Sequence, residues 1–282
     1  MIYRYDGSFA GLLCVCALTL DGADPPQRIE RPPYSPEGLF DQVVDIPTCP
    51  ETARSMRTAV QSKLDNATLA SLRLAYLSER PGIERHLWHY LALGWQVGPD
   101  LNSYLAHPDV QMVHAWSQRT LREAHRMKGL TRFRELADGT FYAPLKTDTN
   151  VLPLLAGHFA GRMDCPWLVH DVARGLGIIG DARRVMLGRI CEEAPPQYSS
   201  REQAWQELWQ NFHAAIAIET RKNPARQKQF MPLKYHEFLI ECLDGSPVKD
   251  SAQIEAEGTS PPATGLAAVS PKIPDTCGQG GL

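Results

Sequence analysis

Residues 125–171, HRMKGLTRFRELADGTFYAPLKTDTNVLPLLAGHFAGRMDCPWLVHD, decide the fold. Asp138-Gly139 is a two-residue hairpin signal between runs of β-prone residues. The strand before it puts Leu130, Arg132, Arg134 and Leu136 on one face, with Thr131, Phe133 and Glu135 on the other. The strand after it, Thr140–Lys146, contains Pro144, which suggests a sheet edge or a strand end. Asp148, Thr149 and Asn150 then cap a helix with Pro153 in its first turn. Trp167–Asp171 follows as a short buried strand. Leu176–Ile179 and Arg183–Leu187 form a second hairpin about Gly180-Asp181-Ala182. The expected fold class is α+β, a central antiparallel sheet with helices packed around it.

The flanking chain supplies those helices. Ile2–Tyr5 starts as a strand, and Asp6 or Ser8 caps an apolar helix, Phe9–Leu20. That run is too short to cross a bilayer, and Asp6 and the lack of a small-residue cleavage site argue against a secretion signal. Residues 21–38 are rich in Pro, Gly and Asp and predict a loop; Leu39–Ile46 holds a strand. Helices are expected over 49–64 and 66–78, and from Pro81 to a stop at Gly94. Another runs over 108–127, with Arg119, Arg122, Glu123 and Arg126 on its polar face and an Arg119–Glu123 pair at i,i+4. His86 and His89 lie three apart but lack the HExxH context of a metal site. Arg201–Ile218 is strongly amphipathic, and its stripe of Trp205, Leu208, Trp209, Phe212 and Ile216 is expected to be core. Pro232 opens a last helix to about Leu243. No periodicity survives beyond it, so 1–243 is expected to be one domain and 244–282 a disordered acidic tail.

The net charge of −3 over 282 residues resides in that tail. A neutral body with local basic clusters is compatible with a polyanion partner. The seven cysteines are an odd number without CxxC or zinc spacing, which predicts free thiols in a reducing cytoplasm, with no metal and no cofactor. Dinucleotide-binding, P-loop, nucleophile-elbow and EF-hand motifs are all absent from the sequence.

Three constellations could carry chemistry. The first is the basic segment with Arg221, Lys222, Asn223, Arg226, Lys228 and Lys234, followed by Tyr235. Its cations suit phosphates and its aromatic suits a base; otherwise it is a solvated loop. The second is His125, Arg126, Lys128, Arg132 and Arg134 at a helix-to-strand corner, either a bidentate phosphate site or an internal ion-pair network. The third is His158, Arg162, His170 and Asp171. A His beside an Asp can be an oriented general base, but neighbours on a strand point to opposite faces, so satisfied structural histidines are the commoner case.

Four blocks carry a resemblance: YRYDGSFAGLLC (3–14), LRLAYLSERPGIERHLWHYLALG (72–94), the 125–171 stretch, and IAIETRKNPARQKQFMPLKYHEFL (216–239). In this order they resemble a bacterial family of DNA-repair or DNA-metabolism proteins built on a domain of unknown function. Members are typically encoded beside a radical-SAM protein, and some are fused to a uracil-DNA-glycosylase-like domain. The resemblance spans roughly residues 2–243 and implies a cytoplasmic DNA-repair accessory protein. Such a protein binds DNA phosphates and acts with a radical-SAM partner, or with a uracil-DNA-glycosylase-like one. It implies no catalytic residue. This chain lacks the CxxxCxxC ligands of a radical-SAM enzyme, and 244–282 is too short and polar for a glycosylase domain. His236 stands after Tyr235 where relatives often have a bulkier aromatic. The alternatives are a nucleic-acid-processing enzyme using His and Arg chemistry, and a protein–protein adaptor without DNA affinity.

Overall fold

The apolar run behind the first strand is a buried helix. The computed structural model describes residues 1–20, 22, 25–181, 183–190, 195–221 and 223–242. In it β1 (Ile2–Arg4) leads into α1 (Phe9–Thr19), where the Ser8 hydroxyl accepts from the Gly11 amide at 2.9 Å. Leu12, Leu13, Val15 and Cys16 are all wholly buried. An apolar character on most sides suits a helix covered on most sides, with Leu18 alone left largely exposed. β2 (Arg28–Glu30) lies within the stretch expected to be loop, and β3 (Val43–Asp45) follows. Both pair with β1 in parallel, in the order β2-β1-β3.

Four helices build the rest of this layer: α2 (Pro50–Lys63), α3 (Asn66–Tyr76), α4 (Ile83–Val97) and α5 (Pro108–Leu130). Gly94 does not stop α4. It sits inside the helix because a Cβ there would lie 2.8 Å from both Leu64 and Leu101 side chains, which are buried. Ala is the better helix former by about 1 kcal/mol, yet Gly94→Ala should lose about 1–3 kcal/mol through overpacking. A lowered urea midpoint at unchanged slope is the expected result; an unchanged or raised midpoint would contradict this packing.

α5 joins two cores. Val110 and Val113 pack into the helical layer, whereas Ala124 and Met127 pack into the layer built on the second sheet. That sheet comprises β4 (Arg134–Glu135), β5 (Phe141–Leu145), β6 (Trp167–Asp171), β7 (Leu176–Gly180) and β8 (Val185–Arg189), in sequence order. It is mixed rather than antiparallel, because β5 and β6 run parallel. The reason is α6 (Leu152–Ala160), which lies between them. A helical crossover returns the chain to the end where it started. Pro144 fits its place, since β4 pairs with only Phe141 and Tyr142 and asks no ladder hydrogen bond of β5 beyond them.

The C-terminal part departs most from expectation. α7 (Glu202–Ile216) forms, but its apolar stripe is not core: Trp205 is 60% exposed, Phe212 53% and Ile216 57%. Its contacts are instead polar. Glu202 accepts from the Glu135 amide, and Gln210 donates to the Ile240 carbonyl. Amphipathic spacing specifies an apolar face, but it does not specify that the same chain covers it. A short 3₁₀ turn at Glu219–Arg221 and α8 (Pro224–Phe230) follow. The expected last helix is replaced by two 3₁₀ turns, Leu233–Phe238 and Ile240–Cys242. The expected tail lies outside the described residues. Among those residues, no helix is long and apolar enough to cross a membrane.

Candidate nucleic-acid interface

The outer face of α5 is basic. Val110, Val113, Thr120, Ala124 and Met127 turn inward; Arg119, Arg122, His125 and Lys128 are exposed, and Arg126 is half-buried. Glu123 is the one acid between Arg119 and Lys128, and it is 3% exposed. It is fully engaged. The Tyr235 hydroxyl donates to Oε1 at 2.7 Å and the Asp148 amide to the same oxygen at 3.0 Å. The Thr149 amide and hydroxyl donate to Oε2 at 2.8 and 2.6 Å.

Burial alone would raise the Glu123 pKa. Hydrogen bonds from Thr149, Tyr235 and the two amides outweigh it and hold the carboxyl below its ordinary value. Burial, then the hydrogen bond to Glu123 and that group's charge, pushes the Tyr235 phenol up to about 12. Asp148 is lowered chiefly by its hydrogen bond from Lys234 at 2.6 Å, with Arg119 adding a second at 2.8 Å. Arg119 therefore pairs with Asp148 across the cleft rather than with Glu123 along the helix. Both carboxylates are more acidic folded than unfolded, where they titrate near 4.3 and 3.9. Their stabilisation is present above about pH 4 and is lost as pH falls through the folded values. Unfolding free energy measured by urea from pH 6 to 3 should drop, and Glu123→Gln should flatten that drop. An equal acid dependence in the variant would contradict the assignment.

Around this anchor lies a cleft of about 180 Å³ lined by Arg119, Arg122, Glu123, Arg126, Asp148, Lys234 and Tyr235. Three arginines and a lysine face two carboxylates, both already engaged. Arg122 hydrogen-bonds only the Gln118 carbonyl, 3.2 Å away, and neither Arg122 nor Arg126 has a carboxylate partner among the described residues. Like charges at i,i+4 on a helix repel, so the Arg122–Arg126 pair carries a local cost. Beside it, the guanidiniums of Arg80 and Arg119 lie 4.7 and 4.8 Å from the centroid of the Trp116 ring.

The residues singled out from sequence are distributed unevenly. Lys234 and Arg126 are in the cleft. Arg221, Asn223, Arg226 and Lys228 sit on the exposed segment at and around α8, where Asn223 caps the helix by accepting from the Arg226 amide at 3.0 Å. Lys222 lies outside the described residues. Arg132 is bidentate with Glu241, at 3.0 and 2.5 Å. Arg134 is 1% exposed and donates to the Tyr198 hydroxyl and the Phe238 carbonyl, both at 3.3 Å. These two arginines hold the C-terminal segment against the sheet.

His125 is exposed on α5, and Arg162 is exposed beyond α6. Burial first, then the nearby Arg162 and Lys128 charges, lowers the His158 pKa. His170 is hydrogen-bonded to the Tyr142 hydroxyl at 3.0 Å, whereas Asp171 pairs with Arg174 at 2.7 Å. Asp171 does not orient His170, as strand alternation requires. His86 is engaged by Asp109 at 2.7 Å, and no group of three potential metal ligands is assembled among the described residues.

The sequence signal for this cleft is the Arg119, Arg122, Arg126 row, which on its own reads as an ordinary solvated face. What separates it from one is the arrival of Asp148 and Lys234 from distant loops. No curated protein and no solved structure matches the chain. Residues 81–241, more than half of the chain and inclusive of the whole cleft, match DUF4130, a domain of unknown function, and the chain belongs to that family.

Proposed function

We propose that this protein binds nucleic-acid phosphates along the outer face of α5. The observation that carries the reading is the pair Arg122 and Arg126, unmatched by any carboxylate among the described residues, in a cleft whose two acids are both engaged. Guanidinium groups held on a long helix suit bidentate contacts to phosphate oxygens. Trp116 already serves as a seat for two guanidiniums, so the contact is to backbone rather than to stacked bases, and little sequence preference follows. Arg221, Arg226 and Lys228 add a second, solvent-exposed run of cations. DNA repair with a radical-SAM partner is the setting we propose on the sequence resemblance alone.

Fluorescence anisotropy with labelled single- and double-stranded DNA tests the reading. Arg122→Ala/Arg126→Ala should weaken binding about tenfold or more, about 1.4 kcal/mol. Arg221→Ala/Arg226→Ala/Lys228→Ala should weaken it less. Wild-type protein without affinity for either DNA, or loss confined to the second variant, would overturn this placement.

A further inference from the structure

The apolar stripe of α7 joins neither core. Trp205, Leu208, Trp209, Phe212 and Ile216 fall within about 100° of the helix circumference, and each is between 39% and 60% exposed. Ala204 and Ala215, both exposed, widen the arc on its outer side, and no α7 residue within it is charged. The helix is held from the side. The Glu202 carboxylate accepts from the Glu135 amide at 2.8 Å, the Trp209 indole donates to Glu241 at 3.1 Å, and Gln210 donates to the Ile240 carbonyl at 2.9 Å. These bonds fix the direction in which the stripe points, so whatever docks meets a preformed surface.

The area is more than a monomer ordinarily leaves open. At about 200 Å² for a large side chain, the stripe exposes on the order of 500 Å². Ile218, Phe230 and Leu233, exposed by 51%, 62% and 61%, lie on the segment that directly follows. They bring the exposed apolar surface of this part of the chain to about 800 Å². The largest apolar patch of a monomer is about 300–600 Å², and one side of a stable interface buries about 800 Å².

We propose that the occupant is a second copy of this chain, docked α7 against α7, antiparallel, about a two-fold axis. The stripe is uncharged, so two copies meet there without opposing like charges. Its bulk is graded: Trp205, Leu208 and Trp209 fill the first half of the helix, and the smaller Ala215 and Ile216 lie in the second. A two-fold axis lays each Trp205 over the partner subunit's Ala215, large against small. Charge is graded too. The exposed acid Glu207 stands in the first half, and the exposed cations Arg221, Arg226 and Lys228 lie beyond the second, without a carboxylate partner among the described residues. Arg201, at the first end, is already answered by Glu135 at 3.0 Å. Antiparallel docking brings opposite signs and opposite helix dipoles together, whereas parallel docking stacks like on like. The inference stands apart from phosphate binding, which uses the outer face of α5.

Equilibrium sedimentation of the full chain tests the proposal. At about 10 μM, where an interface of this size holds, the wild type should weigh twice the 31.4 kDa of one chain. Phe212→Glu puts a carboxylate at the centre of the stripe and should raise the dissociation constant about thirtyfold or more. Its far-ultraviolet spectrum should not change, because Phe212 is 53% exposed in the protomer. Leu105→Glu alters a comparably exposed apolar residue outside α7 and should leave the dimer as it was. A wild type of single-chain mass at that concentration would overturn the proposal, whether the stripe is then covered by a different protein or by another segment of the same chain. So would a dimer that Phe212→Glu weakens no more than Leu105→Glu does.

Discussion

Glu123→Ala is expected to lose about 3–5 kcal/mol of unfolding free energy, the range for removing one partner from a buried charged network. The truncation strands the Tyr235 and Thr149 hydroxyls and the Asp148 and Thr149 amides, and it removes one of the two carboxylates that the Lys234 ammonium meets, at 3.4 Å. Each unsatisfied buried donor costs about 1–3 kcal/mol, partly relieved by entering water. The same residue ties three distant pieces of chain together: α5, the loop before α6, and the turn that carries Lys234. Glu123→Gln keeps two acceptor lone pairs and most of the shape, so it should lose markedly less. Urea denaturation at pH 7 measures both. A Glu123→Ala protein within about 1 kcal/mol of wild type would show that the network is not what holds these pieces.

Arg174→Met should be of similar size, about 3–5 kcal/mol, for the opposite charge. The Arg174 guanidinium bonds Asp171 at 2.7 Å, Glu79 at 2.7 Å, and the carbonyls of Thr147 and Asp148 at 2.9 and 3.0 Å. Asp171 is wholly buried, so the methionine variant leaves a carboxylate there without its cation. Glu79 holds a left-handed backbone, φ +51°, and its carboxylate also accepts from Asn150 at 3.3 Å. Arg174 therefore links the segment between α3 and α4 to the second sheet. Replacing Asp171 by Asn in the same protein should restore part of the loss, because the stranded charge goes with it. A double variant as unstable as the sum of the two single variants would contradict the direct pairing.

Local pattern carried much of this fold. The hairpin about Asp138-Gly139, the largely buried α1 and the long α5 all follow from residue spacing, because each is settled by near neighbours along the chain. The sheet departs from the expected antiparallel order at one point, the parallel β5–β6 pair. A strand, helix, strand order between Phe141 and Asp171 already implies a parallel pair, but the two flanking hairpins suggest an antiparallel sheet throughout. The α7 stripe failed for a different reason: spacing says which residues share a face and leaves open what covers it. The cleft was half legible. Arg126 and Lys234 stood out as basic, but Arg119 and Arg122 looked like ordinary solvated cations. Their meaning depends on Asp148 and Lys234, which meet α5 only through tertiary packing. Arg132 and Arg134 show the converse. Two arginines on one strand face leave an anion site and an internal ion-pair network equally open, and the chain itself answers one with Glu241 and buries the other against Tyr198 and Phe238.

The central claim, that Arg122 and Arg126 contact phosphates, is tested most directly by the salt dependence of single-stranded DNA affinity in wild type and in Arg122→Ala/Arg126→Ala. Each neutralised phosphate contributes about 0.7 to the slope of log affinity against log salt on a single strand. The account predicts a salt-sensitive wild type and a variant whose slope is shallower by about 1.4. Parallel lines for the two proteins, or affinity indifferent to salt, would contradict it.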